Sequence, residues 1–93
     1  MKIQIEPHTL ERAEERGTSV EEIEDVIQNG FTIPARKNRL AKGKVYIFER
    51  ERLGRYYKHK RVEVIYLVEN DAIVTVTVFV FYGEWTDENA GTL

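Results

Sequence analysis

The feature that most restricts what this chain can fold into is the run from Ile73 to Tyr82, in which every residue is β-branched or aromatic. Such density fits a pleated, packed surface and predicts a central strand. Along it, Val74, Val76, Val78 and Val80 fall on one side, and Ile73, Thr75, Thr77, Phe79 and Phe81 on the other. Asn70-Asp71 tolerates positive φ and bonds its own backbone, so Arg61 to Glu69 is expected to join this strand through a tight hairpin. Lys44 to Arg50 alternates Val45 and Ile47 with Tyr46 and Phe48, a third strand before the polar stretch Glu51 to Arg55.

The first half changes period. Ile3 and Ile5 suggest a short strand over Lys2 to Ile5. Pro7 suits a first helical turn and Gly17 the position just past a helix end, which predicts a helix over His8 to Arg16. Ser19-Val20-Glu21-Glu22 reads as a capping box: the Ser19 hydroxyl accepts from the Glu22 N–H, and the Glu22 carboxylate returns to the Ser19 N–H. Such a cap is worth ~1 kcal/mol. Val20, Ile23, Val26 and Ile27 then recur at helical spacing, predicting a helix over Val20 to Gln28 closed by Asn29-Gly30. Pro34 removes a ladder donor, so Phe31 to Ala35 is expected as a connector or an edge strand, and Lys37 to Gly43 as a basic, mobile loop. The expected class is α+β: a short N-terminal strand and two helices packed on one face of a three- to four-stranded antiparallel sheet.

Ninety-three residues suit one domain, placed at residues 1–85 with a flexible tail over 86–93. Without cysteine there is no disulfide, thiolate zinc site or thiol nucleophile, which suits a reducing, cytoplasmic compartment. The first residues meet charge too early for a secretory signal, and no apolar run is long enough for a membrane span. The net charge of −2 conceals segregation. Glu6 to Gln28 carries eight acids and two bases, whereas Arg36 to Arg61 carries eleven bases and two acids.

His8-Thr9-Leu10-Glu11-Arg12, Glu15-Arg16-Gly17 and Ser19, with Tyr46, Val62-Glu63-Val64 and Val74 to Val78, resemble a family of small prokaryotic proteins of unknown function. Its pattern is H-A-x-E-R-x-x-E-R-G-I-S; Thr9 stands here in place of Ala, and Thr18 in place of Ile or Val. That family resembles a branch of the RelE/ParE toxin fold, β-α-α-β-β-β. The resemblance implies a toxin-antitoxin component whose better-known relatives cleave mRNA or act on gyrase and are restrained by an antitoxin. It implies, for a RelE-type ribonuclease, sheet-borne Lys and Arg and a C-terminal Tyr acting without metal. Lys58, Lys60, Arg61 and Tyr82 are the residues here that can fill those roles.

Two candidate sites follow from the residues themselves. His8, Arg12 and Arg16 share a helical face, where His8 and Arg12 can hold a phosphate and exchange a proton. The alternative pairs Arg12 with Glu15 and Arg16 with carboxylates of the second helix, with His8 capping the first. Tyr56-Tyr57-Lys58-His59-Lys60-Arg61 places stacking faces beside cations. A metal-independent ribonuclease draws its base, its acid and its charge-stabilising groups from such a set, here His8, Arg12, Lys58, His59, Lys60, Arg61 and Tyr82. The alternative is a solvated basic strand.

Arg36, Lys37, Arg39, Lys42, Lys44, Arg50, Arg52, Arg55, Tyr56 and Tyr57 form the candidate RNA-binding or ribosome-binding surface. The same cations can instead cancel the acidic helices or dock an acidic protein segment such as an antitoxin. Trp85 closes the core or stacks on a base. Two histidines 51 positions apart give no metal-ligand spacing, and no phosphate-loop or dinucleotide motif is present, so no metal or cofactor is expected.

Overall fold

The computed structural model describes residues 1–86. The elements run β1 (Lys2–Gln4), α1 (Pro7–Arg16), α2 (Val20–Asn29), β2 (Phe31–Ile33), β3 (Leu40–Arg52), β4 (Arg55–Glu69) and β5 (Ala72–Gly83). One sheet of five strands has the order β1-β5-β4-β3-β2. The class is α+β as expected, but the sheet is mixed. β1 lies parallel to β5, with Ile3 opposite Ile73, while the other three pairings are antiparallel. The all-antiparallel, three- to four-stranded expectation is thereby corrected: β1, three residues long, finds its place only through a partner about 70 residues on, and β2, equally short, adds an edge strand by pairing with the start of β3. Of the expected tail at 86–93, all beyond Thr86 lies outside the described residues.

The two helices start and stop close to where their caps predict. Pro7 opens α1, and Gly17 ends it at φ +94°, its N–H and that of Thr18 both donating to the Ala13 carbonyl. Ser19 caps α2 by accepting from the Glu22 N–H at 3.2 Å. The reciprocal half of the capping box does not form: the Glu22 carboxylate turns inward, accepting from the Thr18 hydroxyl at 2.7 Å and pairing with Lys60 at 2.8 Å.

Two hairpins shape the sheet. Asn70 and Asp71 both take positive φ, giving the two-residue turn expected between β4 and β5. Leu53 and Gly54 do the same between β3 and β4. The polar stretch Glu51 to Arg55 therefore continues β3 through a turn into β4. Likewise Leu40 to Gly43, expected within a mobile loop, is paired strand, Gly43 lying opposite Phe31.

Ala13, Ile23, Val26 and Ile27 from the helices and Val62, Val64, Tyr66 and Val78 from the sheet form the core. The expected division of β5 into a valine face and a second face fails at Val76. Ile65 pairs with Thr77 and Tyr66 with Thr75, so Val76 is an extra residue and the alternation changes phase across it. Ile73 and Thr75 face the helices before the bulge, and Val78 and Val80 after it. Buried Thr75 uses the place to accept from the Glu6 N–H at 3.0 Å and donate to Thr9 at 2.9 Å, which anchors the start of α1. β1 covers β5 only through Val74, and Arg16 reaches the uncovered edge, donating to the Val78 carbonyl at 2.7 Å and lying over the Phe79 ring. A cation on a strand edge discourages pairing with another chain.

Candidate functional site

The residues with the most chemical promise in the sequence separate onto two faces of the sheet. On the helix-covered face, three side chains from three strands converge on the end of α1. Arg52 donates to the Glu15 carbonyl at 2.9 Å, Tyr82 to the Arg16 carbonyl at 2.6 Å, and Lys60 to the Gly17 carbonyl at 2.8 Å. These are carbonyls that a helix end leaves without intrahelical partners, and cations there also suit the helix dipole. Phe48 and Tyr57 pack against the Tyr82 ring, with Arg52 over it. Burial raises the Tyr82 phenol above its ordinary range, with Arg52 opposing. Lys60 and Tyr82, both candidates for catalysis, are thus engaged by the fold.

Beside them, the Asp25 carboxylate accepts from Lys44 at 2.6 Å, Tyr46 at 2.6 Å and Asn29 at 2.8 Å. These bonds, that from Lys44 foremost, hold the carboxyl down at about 2. Burial and Asp25 together push the Tyr46 phenol well above its usual value. Because the folded carboxyl titrates below its ordinary 3.8, its stabilisation is complete above that value and is lost as the pH falls toward 2. Asp25→Asn is therefore expected to flatten the stability profile between about pH 4 and about pH 2 in acid-titrated urea unfolding. A variant profile as steep as that of the wild type would show that Asp25 is not what acid removes.

Arg12 pairs with Glu15 at 2.9 Å, the local pairing weighed against a phosphate site. Arg16 goes to the β5 edge rather than to carboxylates of α2. His8 is exposed on α1, whereas His59 follows the opposite pleat from Lys60 and so lies on the helix-free face. The two histidines do not meet.

The basic segment is also divided. Arg36, Lys37 and Arg39 stand at the start of β3, and Arg50, Arg52, Arg55 and Tyr56 at its far end, a strand length of about 40 Å away. Between them Lys44 belongs to Asp25 and Lys42 is half-buried. Arg50 lies over Phe48, while Arg55 and Tyr56 are exposed beside the β3–β4 turn.

What remains open is the helix-free face. Phe79 and Phe81, two apart on β5, stack at 6.3 Å and 25° and remain 38% and 46% exposed. Arg61 opposes Phe81, bonds Glu63 at 2.8 Å and lies 4.9 Å over the Phe31 ring, so this candidate for catalysis is part of the floor. Gly43 allows that floor to lie flat, since a Cβ there would press on Phe31 and Ile33. At one end Arg36, Lys37 and Arg39 wall a groove of about 820 Å³ floored by Ile65, Val76, Thr77 and Phe79. At the other, Lys58, His59, Ile47 and Trp85 line a second cavity of about 460 Å³. His59 and Ile65 are six residues apart on β4, so the two lie about 20 Å apart.

Phe79 and Phe81 were legible as strand residues but not as site residues, because alternation alone does not say which face the helices cover. Their signal was the pair of aromatics at i and i+2 on a strand with no polar side to it. Among the described residues no group of three His, Asp or Glu is placed to hold a metal ion, and no helix is long and apolar enough to cross a membrane.

No protein of curated description and no solved structure matches the chain. One family model does, over residues 5–80, a span from just before α1 to Val80 in β5 that includes both helices and, of the open face, the part up to Phe79 but not Phe81 or Trp85. The chain therefore belongs to the family described as Domain of unknown function (DUF4258).

Proposed function

We propose that this is a RelE/ParE-like protein that binds single-stranded RNA on the helix-free face of its sheet and does not cleave it. The observation that carries the reading is the exposed Phe79–Phe81 pair lying between the Arg36, Lys37 and Arg39 wall and a second cavity that holds Lys58 and His59. Aromatic faces stack on any base while flanking Lys and Arg neutralise phosphates, the common design of single-strand binders. The order of the helices and long strands supports the RelE/ParE relation, with β2 as an added edge strand.

Binding is preferred to cleavage because a metal-independent ribonuclease needs its base, acid and cations converging on one phosphorus. Here Arg12, Lys60, Arg61 and Tyr82 are held in contacts of the fold, and His8 and His59 lie on different layers.

The test is titration of a fluorescent single-stranded RNA with the full chain at ~50 and ~200 mM salt, with gel analysis of the RNA afterwards. Affinity is expected to fall steeply with salt. Phe79→Ala/Phe81→Ala should weaken it ~10-fold or more, since each stacked base is worth roughly 1–3 kcal/mol. Arg36→Ala/Lys37→Ala/Arg39→Ala should weaken it and reduce the salt slope. The RNA is expected to stay intact. Discrete cleavage would restore the ribonuclease reading, and failure to bind RNA would transfer the same cations to an acidic protein segment.

A further inference from the structure

We infer that the cavity between Trp85 and Ile47 is a nucleobase pocket that prefers guanine, an inference that rests on the RNA-binding reading. Four observations lead to it.

The Trp85 indole lies across Gly83, where a Cβ would touch its ring at 3.6 Å, so the chain folds back over the open face after β5. Ile47, His59 and Gly83 stand side by side across β3, β4 and β5, so the exposed Ile47 side chain and the indole over Gly83 flank His59 in one cleft, whose lining also includes Val45. A flat aromatic ligand suits a slot with an indole on one wall and an aliphatic side chain on the other.

The Trp85 backbone N–H donates to His59 Nδ1 at 3.0 Å. In the neutral ring, an acceptor at Nδ1 places the proton on Nε2, so Nε2–H is a donor of fixed position. Among the described residues no protein acceptor takes that proton. Lys58 adds further donors on the same rim.

Among the described residues that line the cavity, Glu84 is the one with a carboxylate. It disfavours a bare phosphate in this cavity and calls for a ligand that offers donors as well as an acceptor. Guanine presents the O6 acceptor beside the N1–H and N2–H₂ donors, a match for His59 Nε2–H or Lys58 on one side and the two oxygens of Glu84 on the other. Adenine and cytosine lack the adjacent pair of donors, and uracil offers one.

The cavity continues the aromatic path. Gly83 and Phe81 oppose His59 and Arg61 on β4, so a strand stacked on Phe79 and Phe81 runs toward this cleft. The phosphate-neutralising cations at Arg36, Lys37 and Arg39 lie at the other end.

The experiment uses the full chain and fluorescein-labelled oligouridine octamers carrying a single guanine, adenine or cytosine at the centre, beside oligouridine itself. The guanine octamer is expected to bind ~10-fold tighter than the others, the range of one bidentate base contact. Trp85 is the sole tryptophan, so its fluorescence reports the pocket directly, and the guanine octamer should quench it most strongly. Glu84→Gln should remove most of the guanine preference, read as the ratio of the guanine-octamer affinity to the oligouridine affinity of the same variant. Equal affinity for all four octamers, or a preference that survives Glu84→Gln, overturns the pocket while leaving RNA binding in place. Failure of every octamer to bind overturns both readings.

Discussion

Lys60→Ala is expected to lower the unfolding free energy by about 3 kcal/mol, because it strips a half-buried carboxylate and a helix-end carbonyl of one shared cation. Lys60 is 9% exposed; its ammonium pairs with Glu22 at 2.8 Å and donates to the Gly17 carbonyl at 2.8 Å. Removal leaves Glu22 with the Thr18 hydroxyl alone and the Gly17 carbonyl with nothing from β4. For a chain of this size the loss corresponds to a fall of roughly 12–24 °C in Tm. Urea unfolding separates charge from packing. Lys60→Met keeps most of the stem and should cost nearly as much as Ala, whereas Glu22→Gln/Lys60→Met should recover part of the loss, since no carboxylate then sits unpaired. A cost below about 1 kcal/mol for Lys60→Ala would mean that the ammonium is not committed to the fold. It would then be free for a ligand.

Gly17→Ala is expected to cost about 3 kcal/mol, from two sources that a second variant distinguishes. The residue sits at φ +94°, which strains any residue with a Cβ by roughly 1–2 kcal/mol. The Cβ would also overlap the Tyr82 hydroxyl and crowd the Arg52 guanidinium, displacing both from the α1 carbonyls they cap. Tyr82→Phe removes the overlapping hydroxyl. Gly17→Ala should therefore cost less in the Tyr82→Phe background, where the backbone strain and the Arg52 contact remain, and the cycle should depart from additivity by at least about 1 kcal/mol. Additive losses would leave Tyr82 and Gly17 as independent features.

Both variants act at contacts that neighbours in the chain do not disclose. Lys58 to Arg61 reads as a cluster because its members are consecutive, yet consecutive residues on a strand point to opposite faces. Lys60 therefore goes under the helices to serve Gly17 and Glu22, while His59 and Arg61 go to the open face. The eleven bases from Arg36 to Arg61 also read as one surface. A hairpin of two long strands stretches that surface along the molecule and gives part of it to Asp25, Glu22 and Glu63.

Local chemistry by itself determined the helices, their caps, the Asn70-Asp71 turn and the existence of three long strands, because those features depend on neighbours within about four residues. Tertiary structure alone decided the parallel pairing of β1, the phase change at Val76 and the assignment of Arg52, Lys60 and Tyr82 to the end of α1. The partners in those last three bonds are 37 to 66 residues apart. No local preference encodes such a distance. It is set by which face of the sheet the helices bury, and that choice left Phe79 and Phe81 facing outward.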